Sequence, residues 1–294
     1  MGDLNNLKVA QNGAYLSIGV YIILALVKFY FGTIYDSAAV RADGLNNLTD
    51  ILASIAVLVG LKVSIKPPDD NHPYGHLKSE NIAALVVSFI IMFVGLQVLI
   101  ENIPAIFQPA SEPPHPVVII VSIISGLIMM VVFFINNRLA KKAKSVSLRS
   151  AAMDNLSDGM ISIGTAIGLV LTQVGLPIAD VIIASILGLM IMYTGYTIFR
   201  DSIFALSDGY KETDLMEHKE DILEVTGVRE VKSIKGRYHG SSIFLDVTII
   251  VDPDITVTEA HHICDKVENH MHAKGIMSLY VHPEPNLETE NSAP

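Results

Sequence analysis

The chain has 294 residues, of which 51% are hydrophobic and only 17% charged, and its mean hydropathy of +0.47 is too high for a single soluble globule. Residues 1–200 carry 12 acidic and 12 basic side chains, whereas residues 201–294 carry 18 acidic and 8 basic ones, so the last third holds the whole net charge of −10. This acidic balance argues against nucleic-acid binding, and a single cysteine, Cys264, excludes a disulfide scaffold. A membrane domain followed by a soluble acidic domain remains.

Six stretches of the chain have the length and apolar character of transmembrane helices. About 20 mostly apolar residues are needed to cross a bilayer. The predicted spans cover roughly residues 13–33, 40–64, 82–104, 116–137, 148–172 and 177–199. Polar residues interrupt the second and the fifth of these spans.

Charges in the connecting loops predict the orientation of the spans. The segment after span two carries three lysines, and the segment after span four carries five Lys and Arg residues. No Lys or Arg occurs between Lys78 and Arg138, and the loop after span five is uncharged. The positive-inside rule then predicts that both termini lie in the cytoplasm. We expect the membrane to be the cell (inner) membrane.

The acidic C-terminal third has the pattern of a small α+β domain. The predicted order is helix, two strands of a hairpin turning at Gly236 and Gly240, a helix beginning at Thr256 or Thr258, and a last short strand. These elements cover about residues 211–225, 228–234, 243–251, 256–274 and 278–282, with a disordered tail afterwards. The predicted domains are a six-span membrane domain (1–205), a cytoplasmic α+β domain (206–285) and the tail (286–294).

Four polar side chains are predicted to lie near the middle of the bilayer. Asn46 and Asp50 of span two share one helix face, and so do Asp154 and Asp158 of span five. A rise of about 1.5 Å per residue puts Asp50 level with Asp154, and Asn46 level with Asp158. A carboxylate at this depth costs about 2.5–3.5 kcal/mol, and neither span carries Lys or Arg there. The acids must therefore be protonated, bind a cation, or alternate between the two.

The donor atoms of this quartet, Asn46, Asp50, Asp154 and Asp158, indicate which cation would bind. They offer one amide oxygen and up to six carboxylate oxygens, with no nitrogen or sulfur ligand. Such hard ligands suit Mn²⁺, Mg²⁺ or Ca²⁺, whereas Zn²⁺ usually recruits His or Cys. Metal and protons compete for carboxylates, so a site open alternately to either side would exchange them. The alternative is a polar network between helices in which the acids stay protonated.

At these residues the chain resembles the cation diffusion facilitator family, whose members are six-span metal/proton antiporters. The resemblance covers about residues 10–285. It implies a homodimer in the lipid bilayer with a ferredoxin-like, metallochaperone-like cytoplasmic domain and no catalytic cofactor. Zinc members typically carry His-x-x-x-Asp in span five. Asn-x-x-x-Asp with Asp-x-x-x-Asp looks like the manganese branch, which implies Mn²⁺ export against protons, with Zn²⁺ or Fe²⁺ as alternative substrates.

The resemblance also implies roles for polar residues outside the membrane. Asp69, His72 and His76 in the loop after span two match positions that hold a metal in zinc-type relatives, with a hydrated loop as the alternative. A regulatory role suits this loop better than a place on the ion path. Lys78 and Asp208 match residues that form a charge interlock between membrane and tail domains at the dimer contact.

The tail departs from the zinc-binding pattern of the family. Lys232 stands where a metal ligand is often found, and its charge would repel a cation. A binuclear site is therefore not expected. A single weaker site would use His261, His282 and Glu284, with Asp246 or His239 as a further ligand.

Three more charged residues fall within the spans. Lys28 in span one is expected to snorkel to the interface or to pair internally. Asp43 and Asp180 are expected to line the outer part of the path, with capping of span six as the alternative for Asp180.

Two rival functions use the same residues differently. An intramembrane aspartyl protease also places acids within spans, but the chain has no Gly-x-Gly-Asp pattern. A membrane metal sensor would bind ions without moving them.

Overall fold

The computed structural model describes residues 2–107, 113–143, 146–176, 178–240 and 242–286. Within them, six long helices precede the α+β domain, each overlapping one predicted span. They are α1 (Gly2–Ile34), α2 (Ala38–Ser64), α3 (Ser79–Asn102), α4 (Val117–Ala143), α5 (Val146–Gln173) and α6 (Ile178–Leu206). The predicted disordered tail lies, apart from residue 286, outside the described residues.

The long helices are those of a membrane domain. Five of them, α1 and α3 to α6, are both long enough and apolar enough to cross a bilayer. The remaining one, α2, has 27 residues and would span about 40 Å, more than the roughly 30 Å of hydrocarbon. The predicted fold class, a helical membrane domain with a C-terminal α+β domain, is confirmed.

The chain forms two compact units, residues 1–55 with 86–197 and residues 56–85 with 198–294. In the first unit, glycines let helices approach closely beside the polar residues. A Cβ on Gly159 of α5 would lie 3.2 Å from the carbonyl oxygen of Gly126 in α4, and one on Gly44 of α2 would lie 2.9 Å from the amide nitrogen of Phe29 in α1. Small residues at such crossings are typical of packed membrane helices.

The start of α2 is capped by a side chain from α6. Asp180 accepts hydrogen bonds from the Ser37 hydroxyl at 2.7 Å and from the backbone N–H groups of Ala38 at 2.7 Å and Ala39 at 3.2 Å. These N–H groups have no partner within the helix, and a carboxylate satisfies them well. Asp180 is therefore a cap, but it caps α2 rather than α6, which corrects the sequence-based expectation.

The second unit contains the α+β domain. Its elements are α7 (Glu212–Leu223), β1 (Glu230–His239), β2 (Ser242–Val251), α8 (Val257–Ala273) and β3 (Ser278–Pro285). The strand order is β1-β2-β3, with β1 antiparallel and β3 parallel to β2. The parallel pair requires a crossover, and α8 provides it.

The core of this domain lies between the sheet and its helices. Every second residue of β2 from Leu245 onward is buried, as expected for a strand with one covered face. The buried side of α8 carries Cys264, Val267 and Met271. Of the two predicted starts of this helix, Thr256 is the N-cap, and it forms a capping box with Glu259.

The predicted hairpin differs from the observed one at Gly236. Strand β1 continues through Gly236 to His239, so only Gly240, with φ of +62°, belongs to the turn. Gly236 has a packing role instead, because a Cβ there would lie 2.8 Å from the ring of Tyr210. Nearer its start, β1 has a register shift between Val231 and Ser233.

Candidate metal-binding site

The structure brings one level of the predicted quartet into direct contact. The Asn46 amide donates a hydrogen bond of 3.2 Å to Asp158 Oδ1, which joins α2 to α5 at the two residues predicted to be level with each other. The other oxygen of Asp158, Oδ2, accepts a hydrogen bond of 2.6 Å from the Tyr21 hydroxyl of α1. Asp158 is therefore held from two helices.

The second level of the quartet lies beside a cavity. Asp50 and Asp154 line a space of about 270 Å³, together with Ser17, Tyr21 and Ser54. Asp154 is exposed, and Asp50 Oδ2 is buried without a hydrogen-bond partner. A buried carboxylate oxygen with no hydrogen-bond donor has a lone pair left for a cation or a proton.

Tyr21 is a site residue that the sequence analysis missed. An aromatic residue in an apolar span is usually packing, so it carries little signal by itself. Its position relative to other polar residues is informative. Tyr21 follows Ser17 by four residues and precedes Lys28 by seven, so the three side chains share one face of α1. All three are buried and make polar contacts.

The buried amine of Lys28 pairs internally rather than snorkelling. Its Nζ lies 2.9 Å from Asp43 Oδ1, 2.6 Å from Asn47 Oδ1 and 2.9 Å from Ser162 Oγ. Of the two expectations for Lys28, internal pairing is therefore the observed one. Asp43 does not line an open path here, because it is fully buried in this ion pair.

The loop between α2 and α3 gathers three potential ligands. Among the described residues, only Asp69, His72 and His76 form a set of three acidic, His or Cys groups whose ligand atoms lie within 4.8 Å of one another. His72 Nδ1 lies 3.1 Å from Asp69 Oδ1, and His76 Nε2 lies 3.5 Å from Asp69 Oδ2. The pKa of Asp69 is lowered by hydrogen bonds that its carboxylate accepts. The largest contribution comes from the His72 backbone N–H, and smaller ones come from the His72 ring and the Asn71 N–H.

Lys78 and Asp208, the predicted charge pair, are in contact. Lys78 Nζ lies 2.7 Å from Asp208 Oδ1. This hydrogen bond and the positive charge of Lys78 hold the pKa of Asp208 below its usual value. Asp208 has a left-handed φ of +61°, a conformation that Asp tolerates better than most residues.

The predicted tail ligands do not converge on one point. His261 and Glu284 line the same cavity of about 610 Å³, but His282 is exposed, with Nε2 4.0 Å from Glu284 Oε1. Glu284 instead binds the ammonium of Lys232, which sits at the register shift of β1. A bulge of this kind commonly redirects a side chain.

The two further ligands considered for the tail lie elsewhere. Asp246 pairs with Arg237 at 3.1 Å, and the ring of His239 stacks on Phe244 with 4.4 Å between ring centroids. Neither Asp246 nor His239 lies with His261, His282 and Glu284. The tail metal site therefore stays a prediction, and its proposed ligands do not surround one point.

A bundle of apolar helices that carries carboxylates and a buried amine in its interior is typical of membrane proteins that move ions or protons. Residues 14–207 match the family model described as the cation efflux transmembrane domain, and residues 210–286 match the cytoplasmic domain of cation efflux proteins. The chain therefore belongs to the cation efflux family, which confirms the resemblance. It is a multi-pass transporter of divalent metal cations and not an enzyme.

Three relatives from Bacillus subtilis (strain 168) align along almost the whole chain. The manganese efflux system protein MneS is 43% identical over 97% of this chain and 99% of its own length. The uncharacterized transporter YdbO is 42% identical over 97% and 99%. The manganese efflux system protein MneP is 29% identical over 96% and 98%.

Proposed function

We propose that the protein exports Mn²⁺ from the cytoplasm in exchange for protons, as a homodimer in the inner membrane with both termini in the cytoplasm. The observation that carries the proposal is the donor set of Asn46, Asp50, Asp154 and Asp158. These residues supply only oxygen ligands, which favour Mn²⁺ over Zn²⁺. The names of MneS and MneP, two manganese efflux proteins similar over their full length, support the same metal.

In the proposed cycle, the ion enters the cavity from the cytoplasm. The exposed carboxylate of Asp154 meets it first, and Asp50, which lines the same cavity, has one carboxylate oxygen without a hydrogen-bond partner. Asn46 now donates to Asp158, so its amide must rotate to present an oxygen to the metal. Tyr21 keeps Asp158 oriented during this change.

Protons drive the return of the empty site. When the site opens to the outside, protonation of a carboxylate weakens its hold on the ion, because metal binding requires the ionised form. The protonated site then returns at little cost, since neutral acids lose less solvation energy in lipid than carboxylates do.

The loop cluster is proposed to regulate transport rather than to carry the ion. Asp69, His72 and His76 lie outside the bilayer helices, and their imidazoles would favour a softer metal than the quartet does. The tail residues His261, His282 and Glu284 would form a weaker site only after Glu284 releases Lys232.

The charge pair offers a test of coupling between the membrane helices and the tail. We expect Asp208→Asn, which keeps a side chain suited to positive φ, to reduce Mn²⁺ flux by about fivefold, a typical allosteric coupling. Because the pKa of Asp208 is lowered, the ion pair with Lys78 is fully formed at any pH above the usual carboxyl pKa. It breaks only when the pH falls through the lower pKa of the folded protein. The factor by which Asp208→Asn reduces Mn²⁺ flux should therefore be constant between about pH 5 and 8.

A double variant serves as the control for this pair. If Lys78 and Asp208 act through each other, Lys78→Gln with Asp208→Asn should lose no more flux than either change alone. Additive losses would contradict the proposed interlock.

The proposed function is tested by metal flux in proteoliposomes that contain the full-length protein. We expect Mn²⁺ transport to accelerate when protons flow down their gradient in the direction opposite to the metal. We also expect Mn²⁺ transport to exceed Zn²⁺ and Fe²⁺ transport. Binding without flux would instead indicate a metal sensor. Proteolysis of a membrane peptide without flux would indicate an aspartyl enzyme. Faster Zn²⁺ or Fe²⁺ transport would keep the mechanism but replace the substrate.

A further inference from the structure

Two polar stripes face each other along α2 and α5 in the first unit. Residues spaced three or four apart share a helix face, so each stripe is continuous. The stripe on α2 consists of Asp43, Asn47, Asp50 and Ser54, and the stripe on α5 consists of Asp154, Asp158, Ser162 and Thr165. Asp50, Asp154 and Asp158 of the quartet belong to these stripes, and Asn46 lies beside the α2 stripe, one position before Asn47.

One end of the two stripes borders a cavity, whereas the other end is filled by a side chain. At one end, Ser54, Asp50 and Asp154 line the cavity of about 270 Å³. At the other end, the ammonium of Lys28 fills the space between Asp43, Asn47 and Ser162. Lys28 is fully buried, so the path is open on one side of the quartet and closed on the other.

The three oxygens around the Lys28 ammonium come from both helices of the metal site. Asp43 and Asn47 belong to α2, whereas Ser162 belongs to α5 and lies one turn beyond Asp158. A metal ion that leaves the quartet in this direction would meet a fixed positive charge at once. The ammonium must therefore leave Ser162 before the ion can pass between the helices.

The closed end also holds polar atoms that no group satisfies. Asp43 Oδ2, Asn47 Nδ2 and Thr165 Oγ1 are buried and have no hydrogen-bond partner. Each such atom costs free energy, so a static contact between helices would be expected to pair them or to use apolar residues. Polar atoms along a path are instead useful when the path opens and water or an ion enters.

We propose that Lys28 closes the outward half of the ion path and that Asp43, Asn47, Ser162 and Thr165 line this half when it opens. The proposal rests on the proposed function, which assigns the metal to the quartet and the open cavity to the cytoplasmic side. Lys28 is here a positioning residue, because it acts on the path and does not bind the transported ion.

The test measures access to Thr165 from outside. In a Cys264→Ser background, Thr165→Cys supplies the only thiol, and a charged, membrane-impermeant thiol reagent is added on the extracytoplasmic side of proteoliposomes. Labelling should be slow while Lys28 and Asp43 are intact. In Lys28→Met with Asp43→Asn, which removes both charges together, labelling should be at least about tenfold faster because the open state gains population.

Two controls accompany this measurement. Val174→Cys, in the exposed turn after α5, should be labelled equally fast with and without the Lys28 and Asp43 changes. Mn²⁺ binding by the double variant should stay within about threefold of the parent, since all four metal ligands remain. If this double variant fails to fold, Lys28→Gln with Asp43→Asn, which removes both charges but keeps polar side chains, replaces it with the same expected labelling.

An unchanged labelling rate would overturn the proposal. So would loss of Mn²⁺ binding, because Lys28 would then build the metal site rather than close the path. Asp158→Asn with Lys28 intact separates this test from the proposed function. Retained Mn²⁺ flux in that variant would refute the transport site, whereas the labelling result at Thr165 would still stand.

Discussion

Asp158→Asn is expected to abolish Mn²⁺ export by the full-length protein. Asp158 is buried between α1, α2 and α5, and it accepts hydrogen bonds from both Tyr21 and Asn46. The substitution keeps the shape of the side chain but removes the charge that would attract the ion. We expect at least a 100-fold loss of flux, above the roughly 10–100-fold typical of residues that only support a ligand.

Flux and binding should be measured together for this variant. Isothermal titration of the purified protein should show Mn²⁺ binding lost in parallel with proteoliposome flux, while the oligomeric state stays that of the parent protein. Asp201→Asn, which changes an exposed carboxylate paired with its neighbour Arg200, should behave like the parent. Export that persists in Asp158→Asn would show that the ion takes another route.

Asn46→His is expected to shift the metal preference from Mn²⁺ towards Zn²⁺. The change replaces the amide oxygen that Asn46 would offer to the metal with an imidazole nitrogen, which Zn²⁺ prefers. Because nitrogen ligands also favour the later metals of the first row, the ratio of Zn²⁺ to Mn²⁺ flux should rise by roughly tenfold or more.

A matched variant separates ligand type from disruption of the site. Asn46→Asp keeps an oxygen donor at the same position, so it should keep the parent preference for Mn²⁺ even if the affinity for both metals changes. Transport of both metals should be compared in the same vesicle preparation. An unchanged ratio in Asn46→His would mean that selectivity is set elsewhere.

The sequence predicted the helices and the relative level of Asn46 and Asp158 because both depend on regular spacing. Hydropathy locates the spans, and the helical rise puts Asn46 level with Asp158, where a hydrogen bond joins them. The order of elements in the α+β domain follows in the same way from strand and helix periods and from the turn residues.

Contacts between helices could not be predicted in this way. Lys28 could pair or snorkel, and the choice depends on which residues of α2 and α5 lie near it. Asp180 caps a helix that lies more than 100 residues away in sequence. Gly236 looked like a turn residue because nothing in the pattern indicates that Tyr210 packs against it.

The cap that Asp180 provides has a mechanical consequence. It fastens one end of α2 to α6, so this end can serve as a pivot while the remainder of α2 swings. Asn46 lies about 12 Å along the axis from Ala38, and a tilt of about 10° would displace it by roughly 2 Å. Metal–oxygen distances tolerate only about 0.2 Å. A tilt of this size in α2 would therefore move Asn46 out of reach of a metal ion bound at the proposed quartet.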